Sequence, residues 1–223
     1  MSPPCMKGIF MLKYLDYIRL ELPKLITQKD ILDFLINEIT LYKNYWKKFS
    51  NDNSRSPLYK SVPTLYNTHN INLPTNETVS ISWDIDQLYN IVKQAPIHQV
   101  PLSTFEELLY DDLTASVDEF SRISQKVDSI YPHKYAPLLV ICFKPTQNAL
   151  LFDDRHRYIE HKKFKSSKLI PFYYLDDEMC FTSILLKKEL LTYIILHNIE
   201  IINNYITGRG TLERLIDIKN CMG

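Results

Sequence analysis

Apolar side chains recur at helical spacing in the first part of the chain. From Gln28 to Phe49, large apolar residues return every three or four positions, which is the spacing of one helix face. Thr27 and Asp30 have the spacing of a capping box, so we predict a helix over this stretch that begins after Thr27. A shorter helix is predicted over Met11–Leu22. We expect the aromatic residues of the long helix to form core rather than a binding surface.

The chain then loses this periodicity and recovers it in short elements. Residues 50–76 are rich in Asn, Ser and Pro and show no apolar repeat, which predicts a loop. Val79, Ile81 and Trp83 alternate with polar residues, which predicts a short strand. Asp84 is placed to cap a following helix that ends near residue 93.

After residue 95 the pattern alternates between strands and helices. Residues 138–143 form a continuous apolar run of strand length, which is typical of a strand buried on both faces. The other predicted strands are 97–102, 149–152 and 170–174, and the predicted helices are 116–131, 155–164, 183–206 and 212–218. The sequence therefore predicts an α+β fold, with a small mixed sheet over 96–180, an N-terminal helical extension over 1–95 and a C-terminal helical segment over 181–223.

Composition and charge restrict the class of protein. The 223 residues suit one ordinary domain, or one domain with an appendage, and a hydrophobic share of 45% is enough for a core. Lys and Arg number 26, and so do Asp and Glu, so a basic coat for nucleic acid over the whole surface is not expected. The 4 glycines form neither a Rossmann nor a Walker phosphate loop.

Cysteine spacing and hydropathy bear on location. The 4 cysteines match no zinc signature and include no C-x-x-C, so we interpret them as reduced, mostly buried thiols. The most apolar stretch, 185–202, contains Lys, Glu and His side chains and is too polar to span a bilayer. No signal peptide is visible. We expect a cytoplasmic protein with no membrane partner.

One segment joins an apolar strand directly to a charged cluster. Leu150-Leu151-Phe152 runs into Asp153-Asp154-Arg155-His156-Arg157, where a helix is predicted to begin. The free backbone N–H groups and the dipole at such a strand-to-helix junction favour an anion. Residues 155–168 contain six Lys or Arg and one acid, Glu160, which gives this segment an excess of positive charge. We therefore expect it to bind a phosphate-bearing ligand.

The same residues leave other interpretations open. Lysines spaced as in 155–168 are also typical of a solvent-exposed helix face without a ligand. A further alternative is that they form a basic patch that binds nucleic acid. The Arg-His-Arg cluster at 155–157 could pair with the two preceding acids and serve the fold rather than a ligand.

The order of these motifs resembles the ParB/sulfiredoxin superfamily. Residues 152–158, Phe-Asp-Asp-Arg-His-Arg-Tyr, are similar to that family's apolar strand followed by Asp-Gly-x-His-Arg, and Ile170-Pro171 is similar to its Ile-Pro strand. Val100-Pro101-Leu102 and Pro137-Leu138-Leu139-Val140 resemble the family's first and second strands. The resemblance covers about residues 96–175. It implies a core that holds nucleotide phosphates through Asp153, His156 and Arg157.

Three features depart from the family's pattern. Asp154 stands where the family usually has Gly, and its carboxylate would crowd or repel a phosphate unless it turns away or binds a metal. Arg155 replaces the Cys that sulfiredoxin chemistry requires, which excludes sulfinic-acid reduction. The first strand lacks the Pro-rich box of partition-type members, and the residues after Leu175 are too few for their helix-turn-helix domain.

Two functions therefore stay open, and so does the question of whether the protein is an enzyme. In the first, the domain binds a nucleotide or another phosphate ligand at 153–157, as a nucleotide-dependent switch or a phosphotransferase. Some family members are small-molecule kinases with a carboxylate after the first strand as base, and a nucleotide with Mg²⁺ would then be the cofactor, with Asp153 and Asp154 as candidate metal ligands. The candidate bases are Glu106, Glu107, Asp111 and Asp112.

In the second function, the chain is a non-catalytic interaction or DNA-associated protein that retains the fold. The same four acidic residues also fit a solvated loop or helix, in which case they have no catalytic role. A homo-oligomer is compatible with either function.

Overall fold

Helices and small sheets alternate along the chain. The computed structural model describes residues 7–58, 66–73, 75–76, 78–93, 95–109, 137–143, 145, 148–152, 158–159, 162, 169–216 and 218. Within them the elements are α1 (Lys7–Leu25), α2 (Lys29–Phe49), β1 (Tyr66–Asn72), β2 (Thr78–Asp84), α3 (Ile85–Val92), β3 (Ile97–Val100), α4 (Leu102–Leu108), β4 (Leu138–Phe143), β5 (Asn148–Leu151), β6 (Ile170–Asp176), a 3₁₀ helix (Asp177–Ser183), α5 (Lys187–Ile206) and α6 (Leu212–Ile216). The predicted α+β class is confirmed. None of the described helices is long and apolar enough to cross a membrane.

The chain divides into two compact units. The first contains Met1–Val62, Thr68–Trp83 and Ile184–Gly223. The second contains Pro63–Asn67 and Asp84–Ser183. The N-terminal and C-terminal helices, which the sequence analysis assigns to separate segments, therefore belong to one unit.

Helix α2 buries the apolar face that its sequence predicts, through Leu35, Ile39, Tyr42 and Trp46. Its bounds agree with the predicted helix to within one residue, but its N-terminal cap does not. The N-cap is Gln28, whose side chain makes no capping hydrogen bond, so the capping box predicted from Thr27 and Asp30 is wrong. The first helical hydrogen bond runs from the Leu32 N–H to the Gln28 carbonyl at 3.0 Å. The helix therefore begins with a backbone hydrogen bond and without a side-chain cap from Gln28.

Helix α5 begins at Lys187 rather than at the predicted Ser183. The residues just before it pair with other segments: Ile184 bridges Trp83 and Leu186 bridges Arg55. The Leu185 N–H also donates to the Ser82 carbonyl at 3.0 Å. Backbone groups that are used in this way are no longer available for helical bonds, so the helix starts after them.

Helices α2 and α5 meet through a buried polar pair. The side chain of Asn198 is 2% exposed, and its Nδ2 donates to the hydroxyl of Tyr42 at 3.0 Å. Most of the surrounding positions on α5 are apolar and buried. A polar pair in such a setting favours one alignment of the two helices, because any other alignment would leave both groups buried without a partner.

Strands β1 and β2 form a small sheet, so the predicted loop over residues 50–76 is wrong for 66–72. Three cross-strand hydrogen bonds between side chains join Thr68 to Ser82, Asn70 to Ser80 and Asn72 to Thr78, at 3.0, 2.7 and 2.9 Å. These partners run in opposite directions along the chain, as in an antiparallel pair. Because Ile71 is the only buried residue of β1, no apolar alternation marked it as a strand. The predicted strand at Val79–Trp83 and the Asp84 cap of α3 are confirmed.

The second unit contains a mixed sheet whose order, among the described strands, is β3-β6-β4-β5. β4 is antiparallel to β5 and parallel to β6, and β3 is antiparallel to β6. The predicted strands over 138–143, 149–152 and 170–174 are confirmed, and β4 is almost wholly buried as its apolar run predicts. The predicted helix 116–131 lies outside the described residues. Of the predicted helix 155–164, the described residues Tyr158, Ile159 and Lys162 are helical.

The buried pair between α2 and α5 leads to a stability prediction. Tyr42→Phe removes the acceptor of Asn198 Nδ2 and leaves that amide buried without it, so the free energy of unfolding should fall by about 1–3 kcal/mol. Tyr45→Phe on the same helix is the matched control, since Tyr45 is half-buried and stacks on Phe49 through its ring, which the variant keeps. Urea unfolding of both variants measures the difference. Equal effects in the two variants would contradict the assigned role of the pair.

Candidate functional site

The backbone N–H and carbonyl of Phe152, at the end of β5, each make a hydrogen bond. The Phe152 N–H donates to the Leu139 carbonyl at 2.9 Å. The Phe152 carbonyl accepts from Nδ2 of Asn67 at 2.8 Å. The Phe152 side chain is itself buried. The strand therefore has a fixed end immediately before residue 153.

The helical residues on the far side of 153–157 are held by the core. Tyr158 and Ile159 are buried in a cluster with Phe105 from α4 and Phe172 from β6. The Phe105 ring lies 6.1 Å from that of Tyr158 and 5.3 Å from that of Phe172, centroid to centroid. Aromatic contacts at these distances add to the stabilisation that comes from burial alone. The chain therefore changes from strand to helix between Leu151 and Tyr158.

Glu106 ties α4 to this helical segment. Its Oε1 accepts from the Tyr158 hydroxyl at 2.7 Å and from Lys162 Nζ at 2.7 Å. Lys162 also lies over the ring of Tyr158, with Nζ 5.9 Å from the centroid. The Glu106 side chain is 34% exposed and that of Lys162 is 57% exposed. The ion pair thus faces solvent, while the phenol beneath it is buried.

The three partners change one another's ionisation. The hydrogen bonds from Lys162 and from Tyr158 hold the pKa of Glu106 below its usual range. Burial, and then the bond to the Glu106 carboxylate, raise the pKa of Tyr158. At neutral pH, Glu106 is therefore a carboxylate and Tyr158 is a neutral donor. A carboxylate with a lowered pKa is a weak general base.

The predicted site residues have different positions in this arrangement. Glu106 lies on α4 and contacts two residues of the segment after the junction, whereas Glu107 is exposed at the next position of α4. Asp153, Asp154, Arg155, His156 and Arg157 lie outside the described residues, as do Asp111 and Asp112. Among the lysines of 155–168, Lys162 is the described one.

Sequence reasoning missed Asn67 and Tyr158. Asn67 lies in a stretch predicted as loop, and its partner Phe152 is 85 positions away. Tyr158 was visible as the residue after Arg157, but nothing in the sequence paired its hydroxyl with a carboxylate 52 positions away. Tyr158 lies one helical turn before Lys162, so the two side chains fall on the same face of the helix. This spacing could have indicated that they share one acceptor.

Candidate metal ligands are limited in the described part of the chain. Those residues contain no group of three or more His, Cys, Asp or Glu side chains that could hold a metal ion. Cys180 is buried, Cys142 is half-buried, and neither forms a disulfide. The Mg²⁺ ligands expected from the resemblance, Asp153 and Asp154, are not among the described residues.

The Glu106 tie leads to a pH-dependent prediction. Because the pKa of Glu106 is lower in the folded protein, its stabilisation is complete above the ordinary carboxyl pKa of about 4.3 and is lost as pH falls through the folded value. Glu106→Gln should therefore cost roughly 1 kcal/mol at neutral pH and flatten the acid side of the stability curve. Glu107→Gln is the matched control and should leave that curve unchanged. Urea unfolding at a series of pH values measures both, and the same curve for wild type and Glu106→Gln would refute the tie.

Comparisons with known proteins add no assignment. No family model, no curated protein and no solved structure matches this chain. The likeness to the ParB/sulfiredoxin superfamily therefore depends on the residues quoted from the sequence.

Proposed function

We propose that the second unit binds a phosphate-bearing ligand, and in particular a nucleotide, at the junction between β5 and the helical residues that follow. The observation that carries this proposal is the pair of anchors around 153–157. Phe152 is held on one side and Tyr158 on the other, and the five residues between them include Arg155, His156 and Arg157. Fixed ends reduce the entropy that is lost when a binding segment is ordered around its ligand.

The chemistry of the segment supports an anionic ligand. A chain that passes from a strand into a helix presents backbone N–H groups that have no helical acceptor. Arginine side chains at the same place can grip two phosphate oxygens at once. The resemblance to the ParB/sulfiredoxin superfamily supports a nucleotide over a simple phosphate ester.

Binding is better supported than phosphoryl transfer. A kinase of the kind that the resemblance implies would use a carboxylate after the first strand as its base. Glu106 is in that region, but its Oε1 already accepts two hydrogen bonds and its pKa is lowered. Its geometry suits a residue that holds the helical segment in place, so we propose a nucleotide-binding switch rather than a phosphotransferase.

The proposal predicts how Arg157 variants bind. Arg157→Ala should weaken nucleotide binding by about 1.5–3 kcal/mol, the strength of a charged hydrogen bond, which is roughly a tenfold to 150-fold loss of affinity. Arg157→Lys should also weaken binding, because an ammonium cannot make the paired contact. Calorimetric titration with CTP, ATP and ADP, each with and without Mg²⁺, measures the affinities. Arg19→Ala, at an exposed position of α1, is the control and should bind as the wild type does.

Melting temperatures of the same variants separate ligand binding from a structural role. A ligand-binding Arg157 should leave the melting temperature of the free protein nearly unchanged. If Arg157 instead pairs with Asp153 or Asp154, the variant should melt earlier and keep its nucleotide affinity. That second result, for every nucleotide tested, would overturn the proposal and favour the non-catalytic interaction or DNA-associated protein.

A further inference from the structure

Glu189 is a buried acid in the first unit. It lies in the first turn of α5, and its side chain is only 6% exposed. Its Oε1 accepts from the Ser82 hydroxyl of β2 at 3.1 Å. Its Oε2 is buried and has no hydrogen-bond partner among the described residues. Acids this deeply buried are rare unless they are fully paired.

The hydrogen bonds around Glu189 form a directed chain. Ser82 has one hydroxyl proton and donates it to Glu189, so its 3.0 Å contact with Thr68 requires the Thr68 hydroxyl to be the donor. This series of hydrogen bonds begins at Thr68, which is exposed on β1, and ends at the buried carboxyl of Glu189. The Leu185 N–H donates to the Ser82 carbonyl at 3.0 Å, so the same residue of β2 holds the segment before α5 and the first turn of α5.

We propose that Glu189 is a pH-sensitive latch: its neutral carboxyl holds the first turn of α5 against β2, and its ionisation loosens this contact. In the neutral form, Oε1 still accepts from Ser82 and the proton resides on Oε2. In the ionised form, a negative charge is buried on a carboxyl whose Oε2 accepts no hydrogen bond of ordinary geometry from the described residues, and a buried charge is far more costly than a buried neutral group.

The electrostatic surroundings of Glu189 favour the neutral form on balance. Burial is the largest influence and raises the pKa of Glu189. The Ser82 hydroxyl, the backbone N–H groups of Ser82 and Leu186, and the charge of Lys188 act in the opposite direction. The Nζ of Lys188 donates to Oδ1 of Asn53 at 2.6 Å.

The neighbouring elements carry other ionisable groups. Lys187 Nζ lies 3.7 Å from Asp52 and over the ring of Phe49. Arg55 is exposed, and His69 alternates with Thr68 and so lies on the other face of β1. The remaining acid of β2, Asp84, accepts from the Gln87 N–H at the start of α3.

The sign of the pH effect follows from the raised pKa. Between the ordinary carboxyl pKa of about 4.3 and the raised folded value, the folded protein holds a proton that the unfolded chain has released. The contribution of Glu189 to stability is therefore complete below the unfolded pKa and is lost as pH rises through the folded pKa. Glu106 has the opposite sign, since its stabilisation is lost as pH falls.

The test compares melting temperatures of the full chain from about pH 4 to about pH 8. The advantage of wild type over Glu189→Gln should shrink as pH rises, by roughly 2–4 °C over the titration. Glu213→Gln, at an exposed position of α6, is the matched control and should track the wild type throughout. A constant difference between wild type and Glu189→Gln at every pH would overturn the latch.

A second variant keeps the test decisive if Glu189→Gln does not fold. Ser82→Ala removes a hydroxyl that favours the ionised carboxyl, so the loss of stability should move to higher pH. Hydrogen exchange at the Leu185 amide, corrected for its intrinsic pH dependence, should show the same shift, because that amide is bonded to the Ser82 carbonyl. Loss of stability at the same pH as in the wild type would count against the proposal, since a merely structural serine would lower stability equally at every pH.

Discussion

The parallel pairing of β4 with β6 determines how the second unit is built. β4 is buried along nearly its whole length and has a partner on each edge, β5 on one and β6 on the other. A parallel partner cannot follow through a tight turn, and here β5 returns the chain to the end of the sheet where β4 and β6 both begin. The segment between β5 and β6 therefore has to cross β4 at that end. Tyr158 and Lys162 belong to this crossing segment, and the charged residues 153–157 precede them in the sequence.

Two side chains from earlier in the chain stabilise the start of this crossing segment. Asn67 binds the carbonyl at the end of β5, and Glu106 binds the first described helical residue after the junction. Glu106 also pairs with Lys162, so that lysine is partly neutralised and its neighbourhood is less positive than a count of basic residues suggests. In the proposed site, the contact with phosphate therefore falls to Arg155 and Arg157 rather than to Lys162.

The sequence predicted elements well where burial left a periodic trace and poorly where polar contacts formed the structure. The apolar run at 138–143 and the helical stripe of α2 were both recognisable, because their buried positions repeat with the period of the element. β1 was missed, since hydroxyl and amide side chains join it to β2 and these leave no such repeat. Glu106 was proposed as a catalytic base from its position alone. Its two donors come from residues that only folding brings near, so its role as a tie could not be predicted.

The central claim is that the junction after β5 binds nucleotide phosphate, and amide chemical shifts test it most directly. The chemical shift of a backbone N–H group changes strongly when the group donates a hydrogen bond to a phosphate oxygen, and the shifts of distant residues do not change. We predict that titration with CTP and Mg²⁺ shifts the amides of residues 153–158 in a saturable way, leaves those of α2 unchanged, and has no such effect in Arg157→Ala. If the chemical shifts of the amides of residues 153–158 do not change at saturating CTP, ATP and ADP, the account is contradicted.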